Sequence, residues 1–176
     1  MKDFNLDDVI RKVPDFPKPG ILFYDITSIM MNPEAFRWVI DKMAEIYSSR
    51  NIEAVAAVES RGFIFAAPLA EKLGLPLILV RKAGKLPGKT IKKSYELEYG
   101  EAVIEIHKAD IPAGKNVLVV DDLLATGGTL KAAADLFIEG GAEVTDVFSV
   151  IGLPFLNYGD ILKDFNITTL IEYDSE

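Results

Sequence analysis

The chain has 176 residues, an apolar fraction of 49% and a formal net charge of −8, which suits one soluble globular domain with a sizeable core and argues against a general nucleic-acid coat. It has no cysteine and one histidine, His107, so disulfides and thiolate metal sites are excluded, and multi-histidine metal centres and Ser-His-Asp chemistry are disfavoured. The start MKDFNLDDVIRKV contains acids and no long apolar core, so it does not read as a signal peptide, and no stretch approaches the roughly 18 uncharged apolar residues of a membrane span; a cytoplasmic protein without membrane contact is expected.

Residues 14–20, PDFPKPG, hold three prolines and a glycine, so no helix or inner strand passes through them. Ile21 to Ile26 fits a short extended segment. Asn32-Pro33-Glu34 reads as an N-cap, an N1 proline and a first-turn acid, with Phe36, Val39, Met43 and Tyr47 following at helical spacing. Ile52 to Val58 predicts a buried strand, Glu59-Ser60-Arg61-Gly62 a turn, and Phe63 to Leu73 a helix stopped by Gly74. Leu75 to Val80 predicts another buried strand.

Residues 81–93, RKAGKLPGKTIKK, then carry six positive charges and no acid. Such an island in an acidic chain suits a clamp for a small polyanion, although a charge run alone is more often a solvated loop. Tyr95, Leu97 and Tyr99 alternate with polar residues, as do Ala102, Ile104 and Ile106, with Gly100 between the runs; this predicts a β-hairpin or a bent pair of half-exposed strands. Val117 to Val120 is the next buried strand and Leu130 to Glu139 a helix ended by Gly140-Gly141. Val144 to Ile151 and Thr168 to Tyr173 are the last strands. Short apolar strands alternating with helices predict an α/β fold with a mostly parallel sheet flanked by helices. Ligands bind beyond the carboxyl ends of such strands, where three polar turns fall: 59–62, 81–93 and 121–129.

The last turn carries the most chemistry. A buried strand delivers Asp121 and Asp122, and strand alternation sends their side chains to opposite sides. An acid pair alone equally fits a strand end that caps backbone N–H groups. Here Leu123 and Leu124 intervene and Ala125-Thr126-Gly127-Gly128-Thr129 follows. Glycines let backbone approach a ligand closely, and N–H groups at a helix N-terminus hold an anion. Acids for sugar hydroxyls beside an anion nest suggest a sugar phosphate. No lysine follows the glycines, which argues against a nucleoside triphosphatase.

Asp121-Asp122 with Ala125 to Thr129 resembles the phosphoribosyl-pyrophosphate (PRPP) motif of the type I phosphoribosyltransferases. Pro14-Asp15-Phe16-Pro17 with Pro19 to Phe23 is similar to the base-binding segment of their adenine-using branch. So are Glu59 to Phe63, Arg81-Lys82 with Gly84 to Gly88, and Ser94 to Gly100. The five motifs stand in family order from residue 14 to about 130, and the likeness is weaker beyond 150.

The resemblance implies one domain over 1–176, with a base-binding hood over about 1–30 and a flexible catalytic loop or hairpin over about 81–106. It implies transfer of phosphoribosyl from PRPP to adenine, giving AMP and pyrophosphate, with Mg²⁺, through an oxocarbenium-like state. Ala125, Thr126, Gly127, Gly128 and Thr129 would hold the 5′-phosphate, and Asp121 and Asp122 the ribose hydroxyls and the Mg²⁺ shell. The ion would be ligated mainly by PRPP and water, with no direct protein ligand. Ser60, Arg61, Arg81, Lys82 and Lys85 would bind pyrophosphate, with Arg61 also catalytic and a cis peptide at Glu59-Ser60. Lys89, Lys92 and Lys93 read as solvated. Glu98 would handle the purine N7 proton, though by alternation alone it is an exposed strand residue. Leu22, Phe23, Tyr24 and Leu123 would contact adenine; family members often carry arginine where this chain has Tyr24. A homodimer with loop residues reaching the neighbouring site, and no nucleic-acid partner, complete the expectation. The alternative is a regulator that senses PRPP or nucleotide without catalysis.

Overall fold

The structure is a computed structural model, and it describes residues 4–97 and 100–175. Two strands come first, β1 (Arg11–Pro14) and β2 (Leu22–Asp25), followed by helices α1 (Thr27–Met31) and α2 (Pro33–Tyr47). Then come β3 (Ala54–Val58), α3 (Gly62–Leu73), β4 (Leu77–Lys82), and the long strands β5 (Thr90–Leu97) and β6 (Gly100–His107). The chain continues through β7 (Val117–Leu124), α4 (Gly128–Glu139), β8 (Asp146–Gly152), α5 (Tyr158–Ile161) and β9 (Asn166–Glu172).

Local chemistry sets several of these boundaries. The Asn32 side chain accepts the N–H groups of Glu34 and Ala35, each at 3.1 Å, and starts α2. Gly74 ends α3 in the left-handed region, at φ +67°. β3 is Ala-Val-Ala-Ala-Val, buried along its whole length, as a central parallel strand covered on both faces must be.

Seven strands form one sheet in the order β5-β6-β4-β3-β7-β8-β9. The run β4-β3-β7-β8-β9 is parallel, and β6 adds to β4 antiparallel with β5 beyond it. One face carries Val55, Ala57, Leu118 and Val120 against α2 and α3; the other carries Ala54, Ala56, Val117 and Val119 against α4. From β3 the chain winds to β4 on one side, and from β7 it winds to β8 and β9 on the other. The strand order therefore reverses between β3 and β7, and a crevice opens beyond their carboxyl ends.

The α/β class and the mostly parallel sheet agree with the sequence, and three details correct it. β7 does not stop at Val120, because β8 keeps pairing through Asp121 with Ser149 and Leu123 with Ile151; the acids lie inside the strand. The basic run is not one loop: Arg81 and Lys82 end β4, and Thr90 to Lys93 begin β5. β1 has no counterpart among the sequence-predicted strands. It pairs antiparallel with β2 from Arg11–Asp25 to Pro14–Leu22, a contact its exposed, charged sequence does not announce.

Candidate functional site

The turn after β3 meets the end of β7. The Glu59–Ser60 peptide is cis, as the resemblance implies. Gly62 then starts α3 so close to β7 that a Cβ there would lie 2.9 Å from the Val120 carbonyl oxygen and 3.1 Å from the Asp121 Cα. Only glycine permits this approach. It sets Arg61 beside the acid pair, where its Nε donates to Asp122 Oδ2 at 2.5 Å. The Asp122 carboxylate is buried, and the Asp122 N–H donates to Asp121 Oδ1 at 2.8 Å. The acids do not part to opposite sides as alternation predicts, since both meet residues 61–62. Burial and the neighbouring Asp122 charge push the Asp121 carboxyl well above its ordinary range, although the Asp122 N–H and Arg61 oppose the shift.

Beyond Leu124 the chain turns through Ala125 and the exposed Thr126 into Gly127, at φ +86°. A Cβ on Gly127 would come within 3.2–3.3 Å of Leu162 and Tyr158, so space and backbone both require glycine. The Gly127 carbonyl accepts the Lys131 N–H at 2.9 Å as the first bond of α4. The N–H groups of Gly128, Thr129 and Leu130 precede that bond and lie at the positive end of a 12-residue helix. The β5–β6 hairpin leans on this end: a Cβ on Gly128 would lie 3.6 Å from both the Glu96 carbonyl and the Tyr95 ring.

At the end of β4, Arg81 is organised by an acid from the β3 turn. Its Nε and Nη2 donate to Glu59 at 3.1 and 3.3 Å, and the Lys82 N–H donates to the same carboxylate at 3.0 Å. The Arg81 hydrogen bond is the main reason the Glu59 carboxyl sits below its ordinary range. Arg81 Nη1 also donates to the Lys85 carbonyl at 3.2 Å, while Lys82 and Lys85 are exposed. Of the lysines expected to be solvated, Lys89 and Lys92 are exposed, Lys92 lying 3.6 Å from Glu105, but Lys93 is half-buried and pairs with Asp135 and Glu139 of α4.

On the side facing β1 and β2, Leu22 and Leu123 pack on the same apolar cluster, with Ala125 and Phe155. Phe23 is half-buried and meets the exposed Phe16 edge to face at 5.1 Å. The Tyr24 ring is committed to the core: it stacks on Tyr173 at 3.8 Å, and its hydroxyl donates to the Ser175 carbonyl at 3.3 Å. Glu98 and Tyr99 lie outside the described residues. Sequence reasoning passed over Glu59 as a ligand for Arg81, and Gly62 as a spacer. The one available signal was their place in a four-residue turn between a buried strand and a helix.

Among the described residues, no group of three or more His, Asp or Glu side chains gathers in a metal-binding arrangement. The adjacent carboxylates Asp121 and Asp122, inside β7 near its carboxyl end, still fit Mg²⁺, which keeps waters and phosphate oxygens in its shell and takes one or two carboxylates at most.

The phosphoribosyl transferase domain family matches residues 25–153. An adenine phosphoribosyltransferase of Treponema denticola is 60% identical over 176 residues, 100% of this chain and 93% of the relative. The chain belongs to the adenine phosphoribosyltransferase family. The solved family member from Thermoanaerobacter pseudethanolicus superposes with a TM-score of 0.91 at 44% identity, over 95% of this chain and 97% of that one. The Saccharomyces cerevisiae member was solved with D-2,5-dideoxy-2,5-imino-altritol 1,6-bisphosphate and adenine. It superposes with a TM-score of 0.88 at 40% identity, covering 94% of this chain and 96% of its own.

Proposed function

We propose that this chain is a purine salvage enzyme that transfers the phosphoribosyl group of PRPP to adenine. The bond from the ribose anomeric carbon to pyrophosphate breaks, a bond from that carbon to adenine N9 forms, and AMP and pyrophosphate leave. The observation that carries this reading is the meeting of Arg61, Asp121 and Asp122 at the β3–β7 crevice, one turn from the glycine-built start of α4. Full-length kinship with adenine phosphoribosyltransferases supports the choice of base.

In this reading Ala125 to Thr129 hold the 5′-phosphate on the backbone N–H groups and hydroxyls of the turn. Asp121 and Asp122 take the ribose hydroxyls. Mg²⁺, when bound, supplies positive charge to the pyrophosphate oxygens. Ser60, Arg61, Arg81, Lys82 and Lys85 take up the charge that grows on the leaving pyrophosphate as the ribose acquires oxocarbenium character. Leu22, Phe23, Leu123 and the main chain of Tyr24 hold the adenine ring, under a hood formed by about residues 1–30. The Glu98 carboxylate accepts the N7 proton, and the hairpin that carries it closes over the start of α4 and keeps water from the cation.

The active form is a homodimer in this reading. Leu77 and Leu79, each 37% exposed, alternate on β4 with the buried Ile78 and Val80 and lead directly to Arg81. An apolar surface beside the pyrophosphate residues suits a second copy of the chain. A cytoplasmic location follows from phosphorylated substrates, and no described helix is long and apolar enough to cross a membrane.

The test is a side-by-side assay of adenine, hypoxanthine, guanine and xanthine with PRPP, with and without Mg²⁺. Adenine is expected to give AMP only with both additions. Equal or faster turnover of hypoxanthine would overturn the base assignment, and absence of any turnover would favour a sensor of PRPP.

A further inference from the structure

Glu105 lies on β6 directly opposite Arg81 of β4. Only 1% of its surface is exposed, the least of any carboxylate among the described residues. Oε1 accepts the N–H groups of Lys85 and Leu86 at 2.9 and 3.0 Å, and Oε2 accepts the Thr90 hydroxyl at 3.1 Å. Burial alone would raise its pKa, but these donors outweigh burial and hold it below the ordinary range.

The arrangement has a specific geometry. The Leu86 N–H and the Lys85 carbonyl belong to one peptide plane and point to opposite edges of it. Glu105 takes the N–H edge, and Arg81 Nη1 donates to the carbonyl edge at 3.2 Å. One peptide of the basic segment is thus gripped from both sides by a cross-strand Arg–Glu pair. Arg81 is fixed in turn by Glu59, the residue before Ser60 and Arg61. A continuous line of hydrogen bonds therefore runs from the turn after β3, through Arg81 and the 85–86 peptide, to Glu105.

Electrostatics alone does not explain the carboxylate. A buried anion beneath a basic segment weakens the positive potential that segment offers to an anionic ligand. A buried charge is also a poor source of stability, because its desolvation offsets much of what its partners return. What it supplies here is direction: several donors converge on two oxygens, and the segment has one way to satisfy them.

We propose that Glu105 is a positioning residue: through the 85–86 peptide and Arg81 it sets the basic segment against the Ser60–Arg61 turn, so that both grip one pyrophosphate. The inference rests on the phosphoribosyl transfer proposed above and deepens it. Glu105 touches no substrate atom. It acts on the pyrophosphate end of PRPP and leaves the adenine side alone, because its partners lie on β4, β5 and the segment between them.

Steady-state kinetics of the full chain test this, with PRPP and adenine varied separately and folding followed by circular dichroism. In Glu105→Gln one oxygen still accepts, but the charge is gone and N–H groups face the Thr90 hydroxyl; in Glu105→Ala two backbone N–H groups lose their buried acceptor. We expect the PRPP KM to rise about fivefold in the first variant and about twentyfold in the second, with the adenine KM within about twofold of wild type in both. Inhibition by added pyrophosphate should weaken in the same order. If Glu105→Ala does not fold, Glu105→Gln decides alone: a rise of about threefold or more confined to PRPP supports the proposal, and a smaller one overturns it. A parallel change in both KM values, or a loss of activity that only tracks loss of folded protein, also overturns it. Failure of the wild-type chain to turn over adenine and PRPP would instead refute the proposed function.

Discussion

At the end of β7 the candidate site is built from buried backbone, whereas at the end of β4 it is tied together by polar side chains across the edge of the parallel sheet. Asp121 and Asp122 belong to a strand paired on both sides, with α3 pressed against it at Gly62. Arg81 and the segment after it depend on Glu59 and Glu105, and the hairpin beyond depends on Lys93 reaching α4. Main-chain packing resists small changes in side chains, while polar ties respond to charge, salt and pH. The first construction suits the part of a ligand that stays in place, and the second suits the part that departs.

The strongest way to break this comparison is to remove charge from the β7 side. Asp121→Asn with Asp122→Asn should lower kcat/KM by about 10³-fold without loss of fold, read from initial rates at saturating Mg²⁺. Full activity would show that the buried end is scaffold only. Glu98→Ala should lower kcat by about 10²-fold with the PRPP KM little changed, checked by the same rates. Unchanged kcat would remove the hairpin from the chemistry.

Asp121→Asn alone sharpens the contrast through stability. A carboxyl whose folded pKa is raised binds its proton more tightly in the folded chain. The stability this gives is fully present below the unfolded pKa, about 4, and is lost as pH rises through the folded value. At pH 7 the unfolded chain holds this group ionised, so the raised folded pKa is a cost there, and Asp121→Asn should raise Tm by about 2–4 °C, with the gain shrinking as pH falls towards the unfolded pKa. A Tm that falls at pH 7 would contradict the burial and Asp122 repulsion assigned to this group. The smallest effect is expected at the hairpin. Lys93→Ala should lower Tm by about 1–3 °C at low salt and by less at high salt, since partly exposed ion pairs are weak and screened. A loss independent of salt would point to packing of the lysine stem instead.

The same contrast governs what could be read from the sequence. The cap at Asn32, the stop at Gly74, the buried run of β3 and the glycine turn at 127–128 are local, and each follows from its own residues. So does the placement of three polar turns beyond strand ends. What escaped is long-range. β1 became a strand only because β2 lies beside it. β7 ran on through its acids because β8 continued to pair. Lys93 looked solvated until α4 supplied two carboxylates. Alternation separated Asp121 from Asp122, but the close approach of α3 brought both to residues 61–62. Glu105 read as one polar residue in an alternating strand, and its role depends on donors 15 to 20 positions away.

The close seat of Gly62 has a further consequence. The atom that bars a methyl group there is a main-chain oxygen of β7, at 2.9 Å, and it cannot swing aside as a side chain would. It serves as a datum surface, in the machinist's sense, from which the reach of Arg61 to Asp122 is measured. Repacking the interior of the sheet with other aliphatic residues would leave that reference untouched. A single added carbon at residue 62 would shift it, and every distance taken from it, at once.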